Sequence, residues 1–354
     1  MRQRLLSLLQ EQIHSGLHPG ARLYVSREAD IVLDFSAGEA SKGFPMKHDT
    51  SLLWMSAGKP ATAVAILQLM EQRKLQLDER VSHYLPEFGT KGKEPITIRH
   101  LLTHTGGFRL ADKVDVADWD QAIREIENTP LEPNWEIGQK AGYHVNGSWL
   151  ILGEIIRRVD GRSIRDYLQE EVFAPADMEG CSLGLESISD NNAVMYLTER
   201  EACIPHPLMS DPARLRQWRT GSNLMGPAHS LGRFYEHLLQ GGGKILHAES
   251  VHLMTQRHRK GLLDQTFRHV IDFGLGLIIN SAQYGPHTVP YGYGSYASSE
   301  SFGHGGNQSS IAFADPRYQL VLVYITNGMP GETAHQKRMR NVIDAVYEEL
   351  GLNA

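Results

Sequence analysis

Hydrophobic and polar positions change their rhythm twice along this chain. Between Met1 and His14, Leu5, Leu6, Leu8 and Leu9 are interrupted by polar residues before Glu11-Gln12-Ile13-His14, which predicts an amphipathic helix. Two short β-like runs follow, Gly20 to Val25 and Ile31 to Phe35, and the polar Ser26-Arg27-Glu28-Ala29-Asp30 between them predicts a hairpin. Thr62 to Leu75 is then apolar on most sides: Val64, Leu67 and Met70 fall three apart, and Ala65, Ile66 and Leu69 widen the face. A helix with so little polar surface belongs in the middle of a fold.

From about residue 77 to 265 the pattern is helical, with long connections. Asp78-Glu79-Arg80-Val81 opens one helical stretch, and Ile98 to His104 forms another that Gly106-Gly107 stops. Trp149 to Val159 is followed by Gly161 as its terminator, and Leu231 to Leu239 ends at Gly241-Gly242-Gly243. Strands return after about residue 270. Phe273 to Ile279 reads as one strand, and Ser309 to Ala314 and Leu320 to Ile325 as two more joined by the tight turn Asp315-Pro316-Arg317. Glu332 to Leu350 closes the chain as a long helix. The fold class is therefore mixed α+β. The simplest packing joins residues 1–76 and 266–354 in one discontinuous domain whose sheet carries the first and last helices, with residues 77–265 as a helix-rich domain. A cleft between them is the expected place for chemistry.

Composition narrows the function classes. With 41% apolar and 21% charged residues the balance is that of an ordinary soluble protein. The net charge of -6 offers no general attraction to nucleic acid or anionic lipid, and the basic run Arg257-His258-Arg259-Lys260 reads as solvated surface. Nowhere is an apolar run long enough to span a bilayer, and the first helix is too interrupted for an export signal. The expected location is the cytoplasm. Cys181 and Cys203 make no disulfide framework and are expected as free thiols.

Ser56-Ala57-Gly58-Lys59 lies where a polar stretch enters the apolar helix. A separation of three puts both side chains on one helical face, about one turn apart. Ser56 by itself is equally explained as a helix cap, with Pro60 tolerated in the first turn. Lys59 is harder to explain that way, because ahead of Ala61-Thr62-Ala63-Val64-Ala65-Ile66 it needs exposure or a buried partner. Near a helix's positive end its pKa would fall, and a lowered lysine pKa is what abstracting the serine proton requires. Other clusters lead nowhere. His100 and His104 are four apart but lack a third zinc ligand at a telling spacing, and Cys203 with His206 is no better. Gly241-Gly242-Gly243-Lys244 lacks the spacing and the Ser or Thr of a phosphate loop. No metal and no cofactor is expected.

Four segments together resemble a known family. Trp54-Met55-Ser56-Ala57-Gly58-Lys59-Pro60 resembles the first motif of the serine beta-lactamase and penicillin-binding-protein superfamily, in its class C-like branch of esterases, D-aminopeptidases and acyltransferases. Leu101-Leu102-Thr103-His104-Thr105-Gly106-Gly107 resembles that branch's Leu-Leu-Thr-His-Thr-Ser-Gly stretch. Tyr143-His144-Val145, followed by Leu150-Ile151-Leu152-Gly153-Glu154, resembles the second catalytic motif, and Phe302-Gly303-His304-Gly305-Gly306 the third. The resemblance runs from about residue 15 to about residue 345. It implies an antiparallel sheet flanked by helices, with a helix-rich lobe.

The same resemblance implies roles. Ser56 would attack the acyl carbonyl and Lys59 would accept or relay its proton. Tyr143 would act as base, as phenolate or through a hydrogen bond with the lysine; a tyrosine near a cation ionises below its free pKa of about 10. His304 would bond the tyrosine or a substrate carboxylate or ester oxygen. The backbone N–H groups of Ser56 and Asn307 would form the oxyanion hole. Gly305 and Gly306 would leave room for substrate along their strand, and His144 would either add polarity to the substrate site or serve a structural hydrogen bond.

One departure shapes the expected activity. Most beta-lactamases and peptidases of the superfamily carry asparagine two residues after the motif tyrosine, where this chain has Val145, with Asn146 one position late. Loss of an amide that holds a substrate amide disfavours beta-lactam and peptide substrates. The expected function is cleavage of small carboxylic esters through a covalent acyl-enzyme. The alternative hands the acyl group from the same serine to an amine or alcohol of a small metabolite; a beta-lactamase or D-amino acid peptidase ranks below both. A catalytically silent binding protein is the reading from another class, and the intact Ser56, Lys59, Tyr143 and His304 count against it. Substrate shape falls to residues 108–142 and 190–226, with Trp218 and Tyr291 to Tyr296 as candidate pocket aromatics.

Overall fold

The computed structural model describes residues 2–199 and 202–353. Its main sheet has eight strands in the order Asp272–Phe273, Ile278–Ile279, Phe302–Gly306, Ser310–Asp315, Leu320–Thr326, Gly20–Arg27, Asp30–Ser41 and Phe44–Pro45. Every neighbouring pair is antiparallel. The two ends of the chain meet in the middle of it, where Ala21 to Arg27 run opposite Thr326 to Leu320.

Leu320–Thr326 is apolar at almost every position because both of its faces are covered. Leu320, Leu322 and Tyr324 pack with Leu5 and Leu9 of the first helix, Arg2–His14, and with Met339, Val342 and Val346 of the last, Glu332–Glu349. Val321, Val323 and Ile325 face the other way, into the core shared with helices Lys59–Glu71 and Ala228–Leu239. Ser310–Asp315 divides likewise, with Ile311 and Phe313 on the first face and Ala312 and Ala314 on the second. The small alanines let the central helices approach closely.

Several boundaries differ from the sequence reading, for local reasons. The first hairpin is tighter, since Glu28 and Ala29 take φ of +53° and +70° and so form a two-residue turn that keeps Ser26 and Arg27 paired. The apolar helix begins at Lys59 rather than Thr62 and stops at Glu71, before Arg73 at φ +59°. Phe273 to Ile279 is not one strand. Asp272–Phe273 and Ile278–Ile279 form a hairpin, reversed where Gly276 sits at φ +74° and the Gly274 N–H donates to the Leu277 carbonyl at 2.8 Å.

The basic run at 257–260 is also not a solvated patch. Arg259 is 2% exposed, ion-paired to the buried Asp264 at 3.0 Å and stacked over Phe273 at 4.1 Å. Arg257 reaches the buried Asp272 at 3.0 Å. Both cysteines are free, Cys181 buried and Cys203 exposed. No helix among the described residues is long and apolar enough to cross a membrane.

Candidate active site

Ser56 lies in a short 3-10 turn, Met55–Gly58, immediately ahead of the buried helix. It caps nothing: Gly58 occupies the cap position, and no side chain bonds there. Met55 adopts φ +52°, a left-handed value that a residue with a side chain holds only when its surroundings impose it. The clamp is visible at Trp54. Its N–H donates to the Leu224 carbonyl at 3.0 Å, its indole Nε1 to the Gly226 carbonyl at 2.9 Å, and its own carbonyl accepts from Ser310 Oγ at 2.7 Å. Gly58 is needed because a Cβ there would lie 2.6 Å from Leu224 Cβ.

Lys59 is completely buried and, among the described residues, has no carboxylate in ion-pair contact. Its Nζ donates to Ser56 Oγ at 3.1 Å, to the Val145 carbonyl at 2.9 Å and to the Gly221 carbonyl at 2.5 Å. Burial lowers its pKa to about 7, against an opposing pull from the Asp112 carboxylate. As a neutral amine it keeps two N–H groups for the two carbonyls and turns its lone pair to Ser56.

Asp112 escaped the sequence reading. It sits in the turn Arg109–Lys113, where its carboxylate accepts from the backbone N–H groups of Val145 at 2.8 Å, Asn146 at 2.8 Å and Gly147 at 2.7 Å. Those groups open the helix Gly147–Asp160, which has no side-chain cap of its own. Asn146 is occupied elsewhere, accepting from Ser222 Oγ at 3.0 Å. The only signal for Asp112 was that this helix start needs an acceptor, and nothing local supplies one. Gly221 carried no signal; its place is set by contact, since a Cβ would lie 2.7 Å from the Val145 carbonyl.

Tyr143 is anchored through its backbone. Its N–H donates to Asp264 Oδ1 at 3.1 Å, and its carbonyl accepts from Thr266 Oγ1 at 2.9 Å. The ring lies against His104 at 4.4 Å and Phe267 at 4.7 Å, with Lys59 Nζ 5.1 Å from its centre. Burial raises its pKa well above 10, and the nearby Ser56 hydroxyl only partly offsets this. The phenolate anticipated from a neighbouring cation is thus disfavoured, because desolvation outweighs that attraction. Tyr143 rests as a neutral phenol.

His304 projects from Phe302–Gly306 beside Tyr143, ring centres 5.8 Å apart. Its Nδ1 is 2.7 Å from the Gly305 carbonyl, an acceptor, so Nδ1 carries the proton and Nε2 keeps a lone pair. Burial, reinforced by Lys59, lowers its pKa to about 3. A neutral ring with a free lone pair cannot donate to a substrate carboxylate or ester oxygen. It can accept from a hydroxyl.

The structure brings Ser56, Tyr143, His304, Gly305 and Asn307 onto one cavity of about 230 Å³, completed by Val145, Thr266, Phe267 and Tyr291. Lys59 does not line it but lies behind Ser56, with Nζ 3.1 Å from the serine Oγ. His144 does not reach it. Its ring is fully buried, centred 4.5 Å from Phe108, because the peptide turns it inward when the His144 N–H donates to His104 Nδ1 at 3.0 Å. Of the two glycines, Gly305 lines the cavity and Gly306 does not. A Cβ on Gly305 would lie 2.3 Å from Tyr291, and one on Gly306 would lie 2.4 Å from the Trp54 carbonyl, so a side chain at either position would displace its neighbour. His104 and His100 serve hydrogen bonds, the latter in a capping box with Thr97. Trp218 lines a separate surface pocket with Trp119.

The chain is similar to known proteins over most of its length. The family model described as Beta-lactamase matches residues 5–347. An Escherichia coli K12 protein, named provisionally a D-alanyl-D-alanine carboxypeptidase, is 25% identical over 95% of this chain and 84% of its own. Esterase EstB of Burkholderia gladioli is 29% identical over 56% of this chain and 53% of its own. Among solved structures, EstCE1, described as a hydrolase with promiscuous acyltransferase activity, superposes with a TM-score of 0.84 at 21% identity, covering 98% of both chains.

Proposed function

The chain belongs to the beta-lactamase family, and from that premise we propose that it falls in the class C-like esterase and acyltransferase branch, as a serine esterase acting on neutral carboxylic esters with a short acyl group. One observation carries the choice of substrate. Among the described residues, the wall around Ser56 offers a substrate no positive charge: His304 is neutral, and Lys59 is sealed behind the serine. Peptides ending in a free carboxylate, and beta-lactams, would bring an anion into this cavity without a counter-charge, which is costly in a low-dielectric site. Lys337 and Arg340 line only an adjoining groove of about 790 Å³, which shares Thr266, Phe267 and Tyr291 with the cavity. That groove gives the alcohol portion a way out.

In the proposed reaction, neutral Lys59 takes the Ser56 proton as Oγ bonds to the acyl carbon. The backbone N–H groups of Ser56 and Asn307 receive the negative charge on the carbonyl oxygen. The ester C–O bond then breaks, and the Lys59 proton passes by way of the neutral Tyr143 hydroxyl to the departing alcohol. The His304 ring stands beside Tyr143, 5.8 Å between centres, and its neutral state adds no charge to the proton path. Water then repeats the sequence against the acyl-enzyme, releasing the acid and restoring Ser56. An alcohol could replace water, and the apolar walls of Val145, Phe267 and Tyr291 favour such an acceptor.

The test compares 4-nitrophenyl butyrate, a D-Ala-D-Ala peptide and nitrocefin on one preparation. A nitrophenol burst that is lost in Ser56→Ala, with the other two substrates essentially untouched, is the expected result. Peptide turnover as efficient as ester turnover would refute the substrate assignment. Ester turnover surviving in Ser56→Ala would refute the mechanism. Mass spectrometry of products formed with added butanol separates hydrolysis from transfer.

A further inference from the structure

Away from the cavity, three chain segments bring metal-ligating side chains together. Asp34 comes from the strand Asp30–Ser41, His48 from the loop ahead of Leu52–Leu53, and His229 from the start of the helix Ala228–Leu239. One ligating atom of each lies within 4.8 Å of the other two. His48 Nε2 is 2.7 Å from Asp34 Oδ2, and the two imidazole rings are stacked with centres 4.2 Å apart and planes at 16°.

The surroundings orient these groups. The buried Arg22 guanidinium holds Asp34 Oδ1, which leaves Oδ2 turned toward the histidines. A ligating carboxylate is commonly fixed by a donor behind it in this way. His229 Nδ1 is buried and has no hydrogen-bond partner among the described residues, as is true of ring nitrogens in His104, His144 and His237, but only His229 shares its place with a second imidazole and a carboxylate in a three-residue ligand cluster. A His48–Asp34 hydrogen bond explains that pair alone. It does not explain why a second imidazole with an unpaired nitrogen is stacked on it.

We propose that Asp34, His48 and His229 form a binding site for a divalent transition-metal ion of the zinc or nickel type, pinning the outer strand to the helix. Two imidazoles and a carboxylate suit such ions better than calcium or magnesium, which take oxygen ligands. Bonds of about 2.0–2.2 Å to zinc bring ligand atoms to roughly 3.3 Å apart, so the cluster must close at its widest and open at its narrowest. His48 can make that adjustment, its side chain being 62% exposed. Water would complete the coordination. The positive Arg22 opposes tight binding, and Asp49 partly balances it.

The experiment titrates Zn²⁺ into tag-free, chelator-treated full chain by calorimetry at pH 7.5, beside His48→Ala, His229→Ala and Asp34→Asn. One equivalent binding in the micromolar range is expected, abolished in both histidine variants, together with a Zn²⁺-dependent rise in Tm seen only in the wild type. The chain has 17 histidines, so weak background binding will occur in all samples and is subtracted through the variants. If His229→Ala fails to fold, the largely exposed His48→Ala decides the matter alone. Binding that the variants share, or no single equivalent tighter than roughly 100 μM, overturns the proposal.

Discussion

Lys59 Nζ lies 3.1 Å from Ser56 Oγ, with its other two donors committed to carbonyl oxygens at positions 145 and 221. Two backbone acceptors from distant parts of the chain therefore aim the remaining position of the amine at the serine. Charged, Lys59 donates to Ser56; neutral, it can only accept. The protonation state of one buried amine thus decides whether Ser56 is held or activated.

Ester turnover should follow that titration. With Lys59 near 7, kcat/KM for a neutral ester is expected to rise through about pH 7 to a plateau, and to stand roughly tenfold lower one pH unit below the midpoint. His304, held near 3, adds no second limb between pH 5 and 9. A limb near 6.5 that disappears in His304→Gln would show that the imidazole, not the amine, is the base.

The same amine opposes folding. Its pKa is about 7 in the folded chain against 10.5 for an ordinary lysine, so between those values the unfolded chain binds more protons, and stability rises with pH. Lys59→Met lacks this term. The unfolding free energy of wild type minus variant should shift in favour of wild type by on the order of 3 kcal/mol from pH 7 to pH 10. Urea denaturation at several pH values measures it, and a flat difference would mean that Lys59 is not desolvated as described.

Asp112→Asn should act on both the site and the helix beside it. Three backbone N–H groups lose a full carboxylate and face an amide that can offer only one oxygen. A loss of roughly 1–3 kcal/mol is expected in denaturation. Removing the negative charge also takes away the pull that raises the Lys59 pKa, so the limb of the pH–rate profile should move to lower pH. A limb displaced upward would contradict this.

Val145 borders the cavity and is 41% exposed, while its backbone carbonyl is what Lys59 uses. Val145→Asn can therefore add an amide toward substrate without disturbing that bond. Nitrocefin hydrolysis is expected to rise by no more than about tenfold, the worth of one hydrogen bond, because the cavity still lacks a counter-charge for the lactam carboxylate. A rise of several hundredfold would show that the missing amide alone had set the specificity.

Arg259→Met should be among the costly substitutions outside the site. It leaves Asp264 buried and unpaired, and Asp264 holds the backbone of Tyr143. About 3–5 kcal/mol of stability is expected to be lost, read from thermal or urea unfolding. Activity in the surviving folded fraction should fall as Tyr143 loses its anchor.

Much of the architecture was legible because it is written in local spacing. The two-face apolar run Leu320–Thr326, the helix around Val64 to Leu69 and the left-handed Gly161 at φ +93° are each dictated by neighbours a few residues away. The Ser56–Lys59 spacing belongs with them, being a single turn of chain. Where local signals misled, a longer contact had intervened. Arg259 looked like surface until Asp264 and Phe273 enclosed it, and Phe273 to Ile279 looked like a strand until Gly276 reversed it.

By itself, the sequence determined the order of the elements, the α+β class, and the presence of a serine and a lysine one turn apart. Only the tertiary structure decided that the lysine is uncompensated and has a lowered pKa, that the tyrosine is a phenol, and that His144 faces inward. It also decided that Asp112, Gly221 and Asp264 take part at all. The physical reason is common to these cases. Helix and strand formation depend on residues close in sequence, whereas desolvation, charge and hydrogen-bond partners depend on whatever the fold brings within a few ångströms.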